Sequence, residues 1–151
     1  MRIAVLGYGT VGSGVVEVLE KNHDIISARA GKEIEVKYVL DLKDFSGQQI
    51  QEKIVHDYEV ILNDKEVEIV VEAMGGIEPA NAYVKSALLA GKSVVSSNKA
   101  LVAKYGAELM KIAREKNVNF LFEASVGGGI PILRALGSSL TGDKIEKSQE
   151  F

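Results

Sequence analysis

The sequence predicts an α/β domain in which helices cover both faces of a doubly wound, mostly parallel sheet. Short apolar runs alternate along the chain with segments whose apolar residues follow a helical spacing. The first run, at residues 2–6, is of the kind that is typical of a strand buried on both faces. Strands that alternate with helices are joined by crossover connections, which make neighbouring strands parallel.

The first half of the chain contains two of these strands. Residues 2–6 form an apolar run that ends in glycines, and residues 34–40 are predicted as the second strand. Between them, residues 10–22 are predicted to be helical because their apolar residues are spaced for one face: Val11, Val15, Val18 and Leu19. A polar loop is predicted at residues 28–32. Residues 41–58 are polar and give only a helical turn, around residues 49–55.

The second half contains three more strands, at residues 67–72, 92–96 and 119–122. A helix is predicted over residues 79–90, because Pro79 suits a first helical turn and Gly91 suits the end of a helix. Residues 105–117 and 130–138 are predicted as further helices. We therefore expect one domain over residues 1–140. Residues 141–151 are a polar tail without an apolar face and are expected to fray.

Composition excludes several classes of function. The chain has 151 residues, a net charge of −3 and basic residues interleaved with acidic ones, which argues against nucleic acid as the main partner. It has no cysteine, so neither a disulfide nor a thiolate metal site can form. No apolar run approaches the roughly 20 residues that span a bilayer, and the first residues do not resemble a secretory signal. We expect no membrane partner and a cytoplasmic location.

The segment Gly7-Tyr-Gly-Thr-Val-Gly12 matches the pattern G-x-G-x-x-G directly after a predicted strand and before a predicted helix. In that setting Gly7 permits a tight turn, Gly9 allows a pyrophosphate to approach the backbone, and Gly12 allows the helix to pack on the strand. The helix N-terminus offers free N–H groups to the phosphates. We therefore predict a dinucleotide site that includes the whole loop: Gly7, Tyr8, Gly9, Thr10, Val11 and Gly12.

Asp41 follows the second strand, where a carboxylate usually binds the ribose hydroxyls of a dinucleotide. A 2′-phosphate would place two negative charges near Asp41, at a cost of about 4 kcal/mol per charge pair near 4 Å at a surface-like dielectric. Lys43 is the only cation close in sequence that could offset this repulsion. The alternative for Asp41 is a solvated loop acid.

Two later segments also fall at the carboxyl ends of strands. The glycines of Glu72-Ala-Met-Gly-Gly76 allow close passage of a flat ligand near Met74 and Gly75, although a plain turn explains them equally well. Ser97, Asn98 and Lys99 follow the fourth strand. A lysine there can orient a carbonyl or hydroxyl group and move protons, although position alone favours a solvated lysine. His23 and His56 are expected to be surface residues.

Three consecutive glycines at residues 127–129 lie between the fifth strand and the last helix. Such a turn exposes carbonyl and N–H groups that can line a hard-cation site or contact a nicotinamide. The pattern does not choose between these uses.

Together, four segments resemble homoserine dehydrogenase in its N-terminal nucleotide-binding domain: Gly7-Tyr-Gly-Thr-Val-Gly12, Val71-Glu-Ala-Met-Gly-Gly76, Ser97-Asn-Lys-Ala-Leu-Val102 and Glu123-Ala-Ser-Val-Gly-Gly-Gly-Ile-Pro131. The resemblance covers residues 1 to about 140. It implies a Rossmann-type domain and the NAD(P)-dependent interconversion of homoserine and aspartate 4-semialdehyde, a step toward threonine, methionine and isoleucine. It also places Lys99 beside the nicotinamide and the substrate, as a catalytic residue. A monovalent cation, sodium or potassium, is implied at the backbone carbonyls of Glu123, Val126, Gly128 and Ile130.

Two departures from the family pattern qualify this expectation. NADP-using members often carry an arginine just before the acid that follows the second strand, and here that residue is Leu40, which favours NAD slightly. The family also continues into a substrate and dimerisation domain that carries its main acid–base lysine. We therefore expect residues 1–151 to be a cofactor-binding part that is inactive alone, and a full-length form to be a homodimer.

Two other functions fit the same residues. One is a regulatory module that binds NAD(H) without catalysis. The other is a different dehydrogenase on the same fold, such as an aspartate or a semialdehyde dehydrogenase. An aldehyde-phosphorylating enzyme would need a thiol nucleophile, and the chain has no cysteine.

Overall fold

The computed structural model describes residues 1–122, and within them six parallel strands form one sheet. The strands are β1 (Arg2–Leu6), β2 (Glu35–Leu40), β3 (Ile54–Val55), β4 (Val67–Glu72), β5 (Ser93–Ser96) and β6 (Phe120–Phe122). The helices are α1 (Thr10–Lys21), α2 (His23–Ala30), α3 (Tyr58–Leu62), α4 (Ala80–Leu89) and α5 (Lys99–Lys116), with a 3₁₀ turn at Gln49–Lys53. The predicted doubly wound α/β fold is confirmed.

The strand order is β3-β2-β1-β4-β5-β6, which is the order of a dinucleotide-binding Rossmann fold. The last residue of β1, Leu6, is paired with Leu40 of β2 on one side and with Glu72 of β4 on the other. The chain therefore winds outward in opposite directions from β1. Ligands of open α/β sheets bind at the carboxyl ends of the strands at this reversal.

The sheet is covered on both faces because the residues of β1 alternate between two cores. Ile3 and Val5 face a core that includes Val15 and Leu19 of α1 and Ile26 of α2. Ala4 and Leu6 face the opposite core, to which buried residues of α3, α4 and α5 contribute: Ile61, Val84, Leu88, Leu101 and Leu109. All four β1 residues are fully buried. The carboxyl end of β1 is thus held rigidly at the centre of the sheet.

The structure differs from the sequence prediction at three places. Residues 23–30 form a helix, where a polar loop was predicted from residue 28, and the pattern was weak because Ile26 is the only buried residue of α2. Residues 41–58 contain β3, which is too short to show a period in the sequence. Helix α3 begins at the last of these residues, Tyr58. Helix α5 begins at Lys99, six residues before its predicted start, because the side chain of Asn98 caps it.

The predicted helix at 130–138, the glycine turn at 127–129 and the polar tail lie outside the described residues. In the part of the chain that the structure describes, no helix is long and apolar enough to cross a membrane.

Candidate functional site

The three glycines of the loop after β1 differ in what surrounds them. Gly7 has φ +94°, its N–H donates to the Leu40 carbonyl at 2.8 Å, and a Cβ on it would lie 2.9 Å from the Ala73 carbonyl oxygen. A Cβ on Gly12 would lie 1.8 Å from the Gly7 carbonyl oxygen. The fold itself therefore requires glycine at both positions.

Gly9 is not required by the fold. Its backbone is extended, with φ −81°, and a Cβ there would meet nothing within 4 Å. The residue is exposed at the rim of the loop. A glycine that intramolecular packing does not demand is expected where an external group must approach the backbone.

The loop presents the uncapped N-terminus of α1 to solvent. Gly9 is the N-cap and provides no side-chain hydrogen bond, and the N–H of Ser13 closes the first turn on the Gly9 carbonyl at 2.9 Å. The N–H groups of Thr10, Val11 and Gly12 precede this ladder and have no partner in it. These groups and the helix dipole favour an anion at this position.

Asp41 lies beside the loop at the carboxyl end of β2. Its Oδ2 accepts the N–H of Tyr8 and its Oδ1 accepts the N–H of Lys43, each at 2.9 Å. The two bonds fix the orientation of the carboxylate and tie it to the glycine loop. Each oxygen keeps a second lone pair, and the partly exposed side chain can accept further hydrogen bonds from a ribose.

His56 is a neighbour of Asp41 that the sequence analysis treated only as a surface residue. Its Nδ1 lies 2.7 Å from the Asp41 carbonyl oxygen and its Nε2 lies 2.9 Å from Asp44 Oδ1. Both partners only accept, so the ring satisfies both when it is protonated. The backbone bond to Asp41 and the side-chain bond to Asp44 raise the pKa of His56 above its usual 6.5. The proximity of His56 to Asp41 follows from the parallel pairing of Leu40 with Val55, which brings the residues that follow these two together.

The loops after β4 and β5 meet on the other side of the glycine loop. Glu72, the last residue of β4, has 0% exposure. Its Oε1 accepts the N–H of Met74 at 2.8 Å, and its Oε2 accepts the hydroxyl of Ser96 at 2.6 Å. The Glu72 carbonyl accepts the N–H of Ser97 at 3.3 Å.

Asn98 joins the same two loops a second time. Its Oδ1 caps α5 by accepting the N–H of Leu101 at 3.1 Å, and its Nδ2 donates to the Gly76 carbonyl. Gly75 and Gly76 both have positive φ, +81° and +74°, which L side chains rarely adopt. The glycines thus shape a turn that Asn98 holds.

Lys99 is the first residue of α5 and is exposed, at the same edge of the sheet as the glycine loop. Ser97 is exposed as well, whereas Asn98 is buried. The structure therefore brings the predicted residues at the ends of β1, β2, β4 and β5 to one edge of the sheet. The predicted cation ligands Glu123, Val126, Gly128 and Ile130 lie outside the described residues, and residues 1–122 contain no cluster of three side chains suited to a metal ion.

Comparison with known proteins gives one consistent family. Residues 7–123 match the family model described as "Homoserine dehydrogenase, NAD binding domain". The chain is 42% identical over 150 residues to homoserine dehydrogenase of Lactococcus lactis, which covers 96% of this chain and 35% of that protein. For the Bacillus subtilis enzyme the identity is 39% over 151 residues, with 97% and 35% covered. The chain thus spans about a third of the length of these relatives.

Solved structures agree with this match. A homoserine dehydrogenase from Thiobacillus denitrificans superposes with a TM-score of 0.79 at 41% identity, over 89% of this chain and 32% of that one. A hyperthermophilic archaeal homoserine dehydrogenase in complex with NADPH superposes with a TM-score of 0.70 at 28% identity, over 87% of this chain and 46% of that one.

Proposed function

The chain belongs to the homoserine dehydrogenase family through that family's NAD-binding domain, and we propose that it binds NAD(P) for the interconversion of homoserine and aspartate 4-semialdehyde. The observation that carries the proposal is the open position of Gly9 in front of three free N–H groups at the start of α1. The archaeal relative that binds NADPH supports a dinucleotide as the ligand.

The topology supports one direction for the proposed dinucleotide. The pyrophosphate belongs at the N-terminus of α1, and the ribose hydroxyls of the adenosine belong at Asp41, at the end of β2. The nicotinamide half then extends to the other side of the reversal, over the ends of β4 and β5. Met74, Gly75, Ser97, Asn98 and Lys99 lie on that side.

Oxidation of the substrate requires a hydride to leave the carbon that bears the hydroxyl group and a proton to leave the hydroxyl oxygen. When bound, the nicotinamide accepts the hydride or, in the reverse direction, donates it. We assign to Lys99 the orientation of the substrate hydroxyl or carbonyl oxygen, because its ammonium group donates hydrogen bonds and its place at the start of α5 faces the nicotinamide side. Asn98 fixes that place by capping the helix.

Turnover is proposed to require the substrate-binding part that the longer relatives carry. Hydride transfer needs near-attack geometry and exclusion of water, whereas Lys99 is exposed in the described part of the chain. We expect residues 1–151 to bind dinucleotide and to show no measurable oxidation of homoserine.

Substitution of Lys99 tests this assignment. Lys99→Ala should change NADH affinity by less than about threefold, or roughly 0.7 kcal/mol, yet abolish turnover in a longer form with the substrate-binding part. Lys111→Ala is the matched control, since Lys111 lies on the same helix with its side chain 75% exposed, away from the site. Full turnover in the Lys99 variant, or robust turnover by residues 1–151 alone, would refute the assignment.

The carbonyls of Glu123, Val126, Gly128 and Ile130 are proposed to hold sodium or potassium. If they do, either cation should raise the melting temperature of the chain more than a bulky organic cation at equal ionic strength. Superimposable melting curves would show that this turn does not hold a cation in residues 1–151.

A further inference from the structure

The hydrogen bonds of Glu72 link both loops on the nicotinamide side to one buried carboxylate. One oxygen holds Met74 and hence the turn with Gly75, and the other holds Ser96. The Ser96 hydroxyl in turn accepts the N–H of Asn98 at 3.1 Å. A single fully buried side chain therefore connects both segments, in addition to the link that Asn98 makes between them.

The directions of these hydrogen bonds are determined by the groups involved. The N–H of Asn98 can only donate, so the Ser96 oxygen accepts there and its own hydrogen points to Glu72. The N–H of Met74 also only donates. The side chain at position 72 must therefore accept two hydrogen bonds, one at each oxygen.

A glutamine at position 72 cannot reproduce this arrangement. If its oxygen faces Ser96, its NH₂ group faces the Met74 N–H, and two donors oppose each other. If its oxygen faces Met74, the NH₂ group faces the Ser96 oxygen, and the Ser96 hydrogen loses its acceptor. Either orientation leaves a donor unsatisfied at a buried position, which is unfavourable.

The burial of Glu72 is not explained by an ion pair, because none of the salt bridges within residues 1–122 involves it. Burial of a carboxylate costs free energy that hydrogen bonds must offset. An apolar residue at this strand end would avoid the cost but could not hold Met74 and Ser96.

We propose that Glu72 is a positioning residue for the nicotinamide end of the site: its carboxylate holds the Met74–Gly75 turn and, through Ser96 and Asn98, the start of α5 with Lys99. This inference rests on the proposed dinucleotide function. It predicts that Glu72 affects the nicotinamide half of the ligand much more than the adenosine and pyrophosphate half, since Asp41 and the α1 N-terminus make no hydrogen bond to it.

The test compares NADH with ADP-ribose, which lacks the nicotinamide, in the 151-residue chain. Glu72→Gln should weaken NADH by about tenfold and ADP-ribose by less than about twofold. The fluorescence of the bound reduced nicotinamide should also move toward that of free NADH. Glu68→Gln, at the exposed position of the same strand, is the matched control and should change neither affinity.

A second variant covers the case in which Glu72→Gln does not fold, which the absence of a cooperative melting transition would reveal. Ser96→Ala removes only the link to α5 and should also weaken NADH more than ADP-ribose. Equal affinities for NADH in the variants and the original chain, or equal losses for both ligands in Ser96→Ala, would overturn the inference. Failure of the original chain to bind either ligand would instead overturn the proposed function.

Discussion

The backbone N–H of Tyr8 donates to Oδ2 of Asp41 at 2.9 Å, so the acid at the end of β2 also holds the glycine loop at the end of β1. The same carboxylate accepts the N–H of Lys43 through its other oxygen. Asp41 thus has a structural task in the loop in addition to the proposed contact with ribose. The residue proposed to bind the ribose and the glycine loop proposed to bind the pyrophosphate are therefore connected, and we expect a change at Asp41 to affect both.

Asp41→Ala should change the choice between the two dinucleotides. The variant loses an acceptor for the ribose hydroxyl, so we expect NADH affinity to fall by about tenfold, or ~1.4 kcal/mol. NADPH should lose less, because the variant also removes the repulsion between the 2′-phosphate and the carboxylate. Dissociation constants for both ligands at low salt measure this. Asp24→Ala, at an exposed acid on α2, is the control. Equal losses for the two ligands would contradict the role of Asp41 in selectivity.

His56 should make that choice depend on pH. Its pKa is raised above 6.5, first by the Asp41 carbonyl and then by Asp44. Below this pKa the ring is positive and offsets the carboxylates of Asp41 and Asp44. As pH rises through it, that positive charge is lost. NADPH affinity should therefore fall relative to NADH with rising pH.

The His56→Gln variant separates this effect from titration of the ligand itself. The 2′-phosphate of NADPH loses its second proton at about pH 6, as phosphorylated side chains do. In the variant, the pH dependence of the NADPH to NADH affinity ratio that comes from the ligand should remain, and the pH dependence that comes from His56 should be lost. Identical pH profiles of the NADPH to NADH ratio in the variant and the original chain would rule out a contribution from His56.

Gly12→Ala should destabilise the fold, whereas Gly14→Ala should not. The first Cβ would lie 1.8 Å from a backbone oxygen, and the second would meet nothing within 4 Å. We expect Gly12→Ala to lower the free energy of unfolding by about 3 kcal/mol or more. Gly14→Ala should raise it by up to ~1 kcal/mol, because alanine favours the helix. Urea unfolding measures both, and equal midpoints would contradict the packing at Gly12.

The sequence predicted β1 and β4 with their observed bounds, because each concentrates four apolar residues in a segment of five or six. It missed β3, since two residues cannot show a period, and with β3 it missed the position of His56. Helix α2 was missed because only Ile26 is buried, so packing leaves no apolar stripe in the sequence.

In the candidate site, too, some features could be predicted from the sequence and others could not. The glycine loop could be predicted because its spacing along the chain reports a local turn. The roles of Glu72 and Ser96 could not, because they depend on the register that pairs these two residues across β4 and β5. The pattern also assigned different tasks to Gly9 and Gly12, and their surroundings in the fold differ in that sense: a Cβ on Gly9 would meet nothing, whereas a Cβ on Gly12 would meet the Gly7 carbonyl oxygen.

The most direct test of the central proposal is the calorimetric titration of the Gly9→Val variant with NADH. The backbone at this position is extended and a Cβ there meets no atom of the described chain within 4 Å, but the valine side chain would stand where the pyrophosphate must approach the free N–H groups. We expect the dissociation constant to rise at least tenfold, or about 1.4 kcal/mol, with a melting temperature close to that of the original chain, while Gly14→Ala keeps the original affinity. An unchanged dissociation constant in Gly9→Val would show that the glycine loop does not bind the dinucleotide.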